Sequence, residues 1–246
     1  MVKKFVATVL ASALIGGSAC AATLNVGTEA TFAPFEFMDE KTKEVTGFDM
    51  EIIEAVAKTT GDKVRLHNMG FDGLIPSLQA GIIDVTVAAM TITPERQKRV
   101  DFTEPYYQSG LTILIRKADA AKYTDLKAFE GTRLCAQIGT TGAMMANRVK
   151  DAKVTEFNSI TEAFMELKAG GCAAVINDKP VVDYYLVRRG DDSVMTLPQV
   201  FDAENYGMAV KKGNKALLDK LNEGLKEIKA NGEYDRIYAK WFGAKQ

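Results

Sequence analysis

Strand-like and helix-like segments alternate along this chain, and the alternation restarts at Arg133. Short apolar runs predict the strands, and apolar residues at helical spacing predict the helices between them. The predicted strands cover residues 24–28, 64–68, 84–88, 111–115, 133–137, 154–157 and 172–176. Because helices separate most of these strands, parallel pairing is favoured within each series. The sequence therefore predicts an α/β protein made of two α/β lobes.

Several helix starts carry a residue that can cap the exposed backbone N–H groups. Ser159 and Glu162 have the spacing of a capping box, in which each side chain bonds the other's backbone. The other predicted caps are Asp72, Thr93 and Asn214. These signals indicate where the helices of both lobes and the C-terminal region begin.

The stretch 84–96, DVTVAAMTITPER, combines a strand, a turn and a helix start. Its turn consists of Ala89, Met90 and Thr91, at the C-terminal edge of the strand. Free backbone N–H groups at such an edge, with the Thr91 hydroxyl and the Arg96 guanidinium beside them, would bind an anion, and the planar guanidinium suits a carboxylate. The alternative is that Arg96 is a solvated surface residue on a short helix.

The N-terminus has the features of a secretory signal: two lysines, a short apolar run and an A-x-A-type cleavage site. We expect a signal peptide over residues 1–21, cleaved after Ala21 or Ala22, and a product that lies outside the cytoplasm. Lipoprotein anchoring through Cys20 fits less well, because Gly17 stands where lipoproteins usually have leucine. No later stretch is apolar enough to span a bilayer.

Composition and motifs argue against several function classes. The formal net charge of −1 gives no electrostatic footprint for nucleic acid. His67 is the single histidine, so neither a zinc-type cluster nor a Ser-His-acid triad is expected, and no P-loop or GxGxxG occurs. Cys135 and Cys172 either pair, as cysteines of exported proteins often do, or remain two buried thiols.

The chain resembles the periplasmic amino-acid-binding proteins of ABC importers, the polar amino acid group (bacterial extracellular solute-binding proteins, family 3). The matching segments run through the mature chain in order. They are VGTEATFAPFEF (26–37), TGFDMEI (46–52), FDGLIPSLQAG (71–81), MTITPERQKRVDFTEPYY (90–107), IGTTGA (138–143), VINDKP (175–180) and GEYDRIYAKWFG (232–243).

This resemblance implies a type II periplasmic binding protein fold, with two α/β lobes joined by two hinge strands near residues 110–115 and 201–207. Lobe 1 would comprise residues 22–112 with 205–246, and lobe 2 residues 113–204. The C-terminal aromatic helix would then pack on lobe 1. The implied protein is a monomer without a cofactor that binds a free amino acid, delivers it to an ABC permease and does not bind nucleic acid.

The resemblance also implies roles for individual residues. Arg96 looks like the clamp on the ligand α-carboxylate, and Asp178 like the acceptor for the α-ammonium, although Asp178 also stands where a cap for the following helix belongs. Phe32 and Phe71 match an aromatic pair around the ligand side chain, although Phe71 could instead be core. The remaining candidates are Glu29 at the far end or the amine, the Ala89 carbonyl at the amine, Met90 in the same turn, Thr91 and Thr141 at the carboxylate, and Gln137 beside the Gly-Thr turn.

The side-chain pocket favours arginine or another basic amino acid, with glutamine next. Glutamine binders of this family tend to have lysine at the position that Gln137 occupies here. Glu29 between Phe32 and Phe71 would suit a guanidinium through ion pairing and cation–π contact. Two alternatives are an enzyme on the same scaffold, similar to cyclohexadienyl dehydratase, and a sensor ligand-binding module.

Overall fold

The computed structural model describes residues 22–243, so the predicted signal peptide and Cys20 lie outside the described part of the chain. Its strands are β1 (Thr23–Thr28), β2 (Thr31–Phe32), β3 (Glu36–Met38), β4 (Val45–Thr46), β5 (Lys63–Asn68), β6 (Val85–Thr86), β7 (Val100–Phe102), β8 (Tyr107–Arg116), β9 (Arg133–Gln137), β10 (Lys153–Phe157), β11 (Ala174–Asp178), β12 (Val194–Thr196), β13 (Phe201–Tyr206) and β14 (Ala209–Lys211).

The helices are α1 (Phe48–Thr59), α2 (Phe71–Ala80), α3 (Pro94–Gln97), α4 (Thr141–Ala146), α5 (Ile160–Ala169), α6 (Lys179–Arg189), α7 (Lys215–Ala230) and α8 (Glu233–Phe242). Between residues 22 and 243, none of them is long and apolar enough to cross a membrane.

Two large sheets organise these elements. The first has the strand order β5-β1-β6-β14-β7 and the second the order β10-β9-β11-β8-β12, with β13 also paired to β8. The predicted parallel pairing holds for β1 with β5 and β6, and for β9 with β10 and β11. Strands β8, β13 and β14 run antiparallel to their neighbours. At these strands the chain passes from one sheet to the other without the helix crossover that parallel pairing requires.

The chain passes from the first sheet to the second between β7 and β8, and returns between β13 and β14. A hydrogen bond joins the two crossing segments, residues 103–106 and 207–208, because the Thr103 amide donates to the Met208 carbonyl at 2.9 Å. Beside it, the Tyr106 amide donates at 3.0 Å to the carbonyl of Tyr206, the last residue of β13.

The expected hinge residues lie beside these crossings rather than on them. Residues 110–115 are inside β8, and residues 201–207 are β13 with the first residue of the return segment. The predicted lobe boundaries, after residues 112 and 204, fall within β8 and β13.

Helix caps follow the predictions at three of four sites. The side chains of Thr93 and Asn214 accept hydrogen bonds from the third residue on, and Ser159 and Glu162 form the capping box. The prediction for Asp72 is wrong: Gly70 is the cap of α2, and Asp72 lies in the first turn. An acidic residue there still complements the positive end of the helix dipole.

The C-terminal helix α8 packs on the lobe built around the first sheet, as expected. The ring of Phe48 in α1 lies at centroid distances of 6.0 Å from Tyr234, 6.2 Å from Tyr238 and 5.2 Å from Phe242, all edge-to-face. Edge-to-face contacts stabilise aromatic pairs beyond the area that they bury. Phe35, from the aromatic loop near the N-terminus, joins this cluster 5.4 Å from Phe242.

A disulfide joins Cys135 in β9 to Cys172, which precedes β11, with a Cα–Cα distance of 6.0 Å. Both residues are buried. The bond links β9, which ends at Gln137, to the residues just before β11, which ends at Asp178, across a sequence separation of 37. Closing such a loop reduces the conformational freedom of the unfolded chain.

Removing this disulfide should lower the free energy of unfolding by about 2–4 kcal/mol. Urea unfolding of the wild type in the presence and absence of dithiothreitol measures this difference. The Cys135→Ala/Cys172→Ala variant is the control, because dithiothreitol should not change its midpoint. An unchanged wild-type midpoint, with both thiols shown to be free by Ellman titration, would contradict the prediction.

Candidate functional site

A small cavity with a volume of about 10 Å³ lies between the two sheets, at the C-terminal ends of β6, β9 and β11. In open α/β sheets, ligands bind at such edges. The cavity is lined by Phe32, Phe71, Ala88, Ala89, Thr91, Arg96, Gln137, Thr140, Thr141 and Asp178. Eight of these residues are candidates from the sequence, and the fold therefore brings both halves of the predicted site together.

The turn after β6 carries the contribution of the first sheet. The strand predicted over 84–88 pairs only at Val85 and Thr86, because the chain turns away at Ala89, whose φ angle of +44° is left-handed. The Ala89 amide donates to the Asp49 carboxylate at 2.7 Å. Thr91 forms a bridge with Tyr206, so the turn also contacts the returning strand β13.

Met90 does not line the cavity, in contrast to its neighbours. Its side chain is buried in the hydrophobic cluster with Leu74, Leu78 and Val100. The side chain of Met90 therefore enters the core, while its neighbours Ala89 and Thr91 line the cavity. The backbone of Met90 accepts a hydrogen bond from the Gly207 amide at 3.1 Å.

Arg96 is only 5% exposed, so the interpretation as a solvated surface residue is wrong. Its Nη1 donates to the Thr91 carbonyl at 2.7 Å and its Nη2 to the Gly139 carbonyl at 3.0 Å. Its Cζ lies 5.3 Å from the ring centroid of Phe71. Burial lowers the pKa of Arg96 to about 10, which leaves the guanidinium charged at neutral pH.

Asp178 is the last residue of β11 and is also buried. It occupies the N-cap position of α6, as expected, but its side chain makes no capping hydrogen bond. Its carboxylate instead accepts a hydrogen bond from the Tyr206 hydroxyl. Burial, and then the nearby carboxyl of Glu204, raise the pKa of Asp178 well above its usual value.

Glu29 and Gln137 form a direct contact between the lobes. Gln137 Nε2 donates to Glu29 Oε2 at 3.0 Å, and the Thr31 hydroxyl donates to Glu29 Oε1 at 2.7 Å. Both residues are buried, and burial raises the pKa of Glu29. This polar pair lies beside the cavity wall that Gln137 helps to form.

The two aromatic candidates differ in their surroundings. Phe32 in β2 is buried within the main hydrophobic core. Phe71, the first residue of α2, is partly buried, packs against a smaller core cluster and also lines the cavity. Phe71 therefore packs in the core and also forms part of the cavity wall.

The second lobe presents the start of α4 to the cavity. Thr141 is the first helical residue, and the Thr140 hydroxyl caps the helix, accepting from the Ala143 amide at 3.1 Å while donating to the Gln137 carbonyl at 2.7 Å. A Cβ at Gly142 would lie 2.4 Å from the Ile176 carbonyl oxygen. Glycine therefore permits the close approach of α4 to β11, the strand that carries Asp178.

Sequence reasoning missed Thr140 and Ala88 as cavity residues. Thr140 is next to the predicted Thr141 in the segment IGTTG, and the sequence does not show which of the two threonines faces the cavity. Ala88 carries no chemical signal. Asp49, Tyr206 and Glu204 were also missed, since each lies far along the chain from the residue that it contacts or influences.

The arrangement can bind a small ligand that carries opposite charges. A buried cation and a buried carboxyl group face one cavity from different lobes, with aromatic rings and a second carboxyl group nearby. His67 lies instead in β5, where its Nε2 is 3.1 Å from Asn25 Oδ1. The geometry is that of a recognition site, in which charge-assisted hydrogen bonds fix the orientation of the ligand.

Comparison with known proteins identifies the family. The family model of the bacterial extracellular solute-binding proteins, family 3, matches residues 24–244. The ABC transporter arginine-binding protein 1 of Escherichia coli (strain K12) is 36% identical over 245 residues, which cover 98% of this chain and 99% of that protein.

Solved structures agree with this assignment. The structure of an ancestral arginine-binding protein bound to arginine has 44% sequence identity and a TM-score of 0.86, covering 90% of this chain and 98% of that one. An ancestral arginine-binding protein bound to glutamine, with the same identity and coverage, gives a TM-score of 0.84. This likeness confirms the expected fold, two α/β lobes of the type II periplasmic binding protein class. The chain therefore belongs to the bacterial extracellular solute-binding proteins of family 3.

Proposed function

We propose that this protein is an extracytoplasmic binding protein that closes on one free amino acid and delivers it to an ABC permease. The observation that carries the proposal is the placement of Arg96 and Asp178, both buried, on the wall of one cavity but in different lobes. An amino acid zwitterion needs one cation and one anion at fixed spacing, and partial desolvation strengthens both contacts.

The proposed orientation follows from the polar groups of the cavity. The ligand α-carboxylate binds Arg96, with the Thr91 and Thr141 hydroxyls beside it. The α-ammonium binds Asp178 and the Ala89 carbonyl, while the side chain extends between Phe32 and Phe71 toward Glu29. A ligand held this way bridges the lobes, so it stabilises the closed state through contacts that the open state lacks.

Charge favours a basic amino acid as the ligand. The α-carboxylate and α-ammonium would balance Arg96 and Asp178, and Glu29 then remains beside the cavity as a further acidic group. A cationic side chain would balance Glu29 and could stack on the aromatic rings. The relatives named above as binding arginine support this choice.

Glutamine is the second candidate ligand. Its side-chain amide could hydrogen-bond the Glu29–Gln137 pair without a charge. The solved structure of an ancestral relative bound to glutamine supports glutamine as a candidate. Calorimetric titration with the twenty amino acids decides between these ligands, and tight binding of an acidic or aliphatic amino acid alone would overturn the proposed class.

We further propose that the protein is not an enzyme, that it acts as a monomer without a cofactor, and that residues 1–21 direct it to the periplasm. A dehydratase on this scaffold would need a general acid over a cavity that does not clamp an amine. Asp178 beside Arg96 favours an amine clamp instead. Assaying prephenate and arogenate for aromatic products tests the enzyme alternative.

Arg96→Ala should weaken amino-acid binding by at least about 30-fold, because truncating one partner of a buried, hydrogen-bonded charge pair costs about 2–5 kcal/mol. The matched control is Arg99→Ala, since Arg99 is an exposed arginine close in sequence that hydrogen-bonds Gln79. Isothermal titration calorimetry measures both affinities. Equal affinities for Arg96→Ala and the wild type would show that the clamp is assigned to the wrong residue.

Glu29→Gln should reduce the affinity for arginine by about 10–100-fold more than the affinity for glutamine, because it removes a charge-assisted hydrogen bond to a cationic side chain only. The exposed Glu44 provides a control, Glu44→Gln, that removes the same charge away from the cavity. The quantity measured is the ratio of the two dissociation constants. A ratio that Glu29→Gln leaves at its wild-type value would contradict the proposed role of Glu29.

A further inference from the structure

Asp49, in the first turn of α1, is fully buried and holds two elements of the structure with one oxygen atom. Its Oδ2 accepts hydrogen bonds from the Ala89 amide and from the Tyr106 hydroxyl, both at 2.7 Å. Ala89 belongs to the turn that lines the cavity, and Tyr106 to the first crossing segment. A single carboxylate therefore ties the ligand site to the connection between the lobes.

Ala89 needs such a partner because of its backbone conformation. Its φ angle of +44° is in the left-handed region, which costs a residue with a Cβ about 1–2 kcal/mol. A charge-assisted hydrogen bond to the amide offsets a cost of this size. The left-handed turn is what ends β6 and presents the Ala89 backbone to the cavity.

A second buried carboxyl group lies against Asp49. Glu36 in β3 is 1% exposed. The Asp49 amide donates at 2.9 Å to the carbonyl of Phe35, the residue that precedes Glu36. Gly47, with a φ angle of +137°, permits this approach, because a Cβ there would lie 2.1 Å from the Phe35 carbonyl oxygen. This backbone contact packs the start of α1 against β3, and the carboxyl groups of Glu36 and Asp49 are close enough to interact.

The free oxygens of this pair indicate a shared proton. Glu36 Oε2 and Asp49 Oδ1 are buried, and neither has a hydrogen-bond partner among the described residues. A proton held between the two carboxyl groups would satisfy both oxygens. Two adjacent buried carboxyl groups do not both ionise readily. Burial, and then Asp49, raise the pKa of Glu36 well above its usual value, and burial raises the pKa of Asp49 to about 6.

We propose that Asp49, paired with Glu36 through one shared proton, is a positioning residue for ligand binding that holds Ala89 in its left-handed conformation. The inference rests on the proposed function of the cavity, in which the Ala89 carbonyl binds the ligand ammonium. It assigns roles to two buried acids that make no direct contact with the ligand.

The same network reaches the other half of the site. The Tyr106 amide donates to the Tyr206 carbonyl at 3.0 Å, and the Tyr206 hydroxyl donates to Asp178. Asp49 thus links Ala89, through Tyr106 of the first crossing segment, to Tyr206 at the end of β13, which is the hydrogen-bond partner of Asp178. The ionisable groups that act on the Glu36–Asp49 pair are Tyr106, Glu29 and Asp178.

The shared proton makes binding sensitive to pH in a defined direction. Loss of the proton at higher pH puts two negative charges side by side in the core, which loosens the turn and weakens binding. Ionisation of Glu29 and Asp178 favours a cationic ligand as pH rises, so it acts in the opposite direction. Glu36→Gln separates these effects, because its amide donates to Asp49 at every pH and leaves the cavity unchanged.

The test uses arginine titrations of the wild type, Asp49→Ala, Asp49→Asn and Glu36→Gln, with the exposed Glu54→Gln on the same helix as control. Asp49→Ala should weaken binding by about tenfold or more, whereas Asp49→Asn, which keeps an acceptor for Ala89, should stay within about threefold of the wild type. The ratio of the wild-type dissociation constant to that of Glu36→Gln should increase as the pH is raised from about 5 to about 9. A constant ratio, or full affinity in Asp49→Ala, overturns the proposal.

A ligand-free measurement separates this inference from the proposed function. Amide hydrogen exchange of the Ala89 N–H should be slow in the wild type and Glu36→Gln, and faster by about tenfold or more in Asp49→Ala, with circular dichroism showing a folded protein. If no amino acid binds the wild type, the proposed function fails and the exchange rates alone decide whether Asp49 holds Ala89. Equal exchange in the wild type and Asp49→Ala overturns the positioning role.

Discussion

The guanidinium of Arg96 is a charge buried at the boundary between the two lobes, and the surrounding residues supply hydrogen-bond acceptors that replace the water it has lost. Its hydrogen bonds to the Thr91 and Gly139 carbonyls join a turn of the first lobe to a turn of the second. An isolated buried cation is costly, so carbonyl oxygens and nearby acidic groups must accompany it. The remaining capacity of the planar group can bind an anionic ligand, which would complete its coordination.

The acidic groups around the cavity divide into two sets with different tasks. Asp178 lines the cavity and Glu29 adjoins it, where the proposed ligand would contact them. Asp49 lies behind the turn that carries Ala89 and accepts a hydrogen bond from the Ala89 amide, and Glu36 is buried beside Asp49. Because both sets are buried, each group keeps its proton to higher pH than it would in water, which couples protonation to the geometry of the site.

Local signals were sufficient for much of the fold and for part of the site. Thr93 and Pro94 mark the start of α3 in sequence, and the capping box at Ser159 marks α5. Non-local contacts were not predictable in this way. The burial of Arg96, the bond between Glu29 and Gln137 and the hold of Asp49 on Ala89 each join residues from separate elements, and side-chain direction sent Met90 into the core rather than the cavity.

In the proposed complex, the ligand bridges Arg96 and Asp178 across the boundary between the lobes. A crystal structure of the protein grown with arginine tests this arrangement. The α-carboxylate should form a two-pronged contact with Arg96, and the α-ammonium should lie within hydrogen-bond distance of Asp178, in a closed conformation. Arginine bound outside this cavity, or bound with its α-carboxylate away from Arg96, would contradict the assignment of Arg96 and Asp178 to the ligand site.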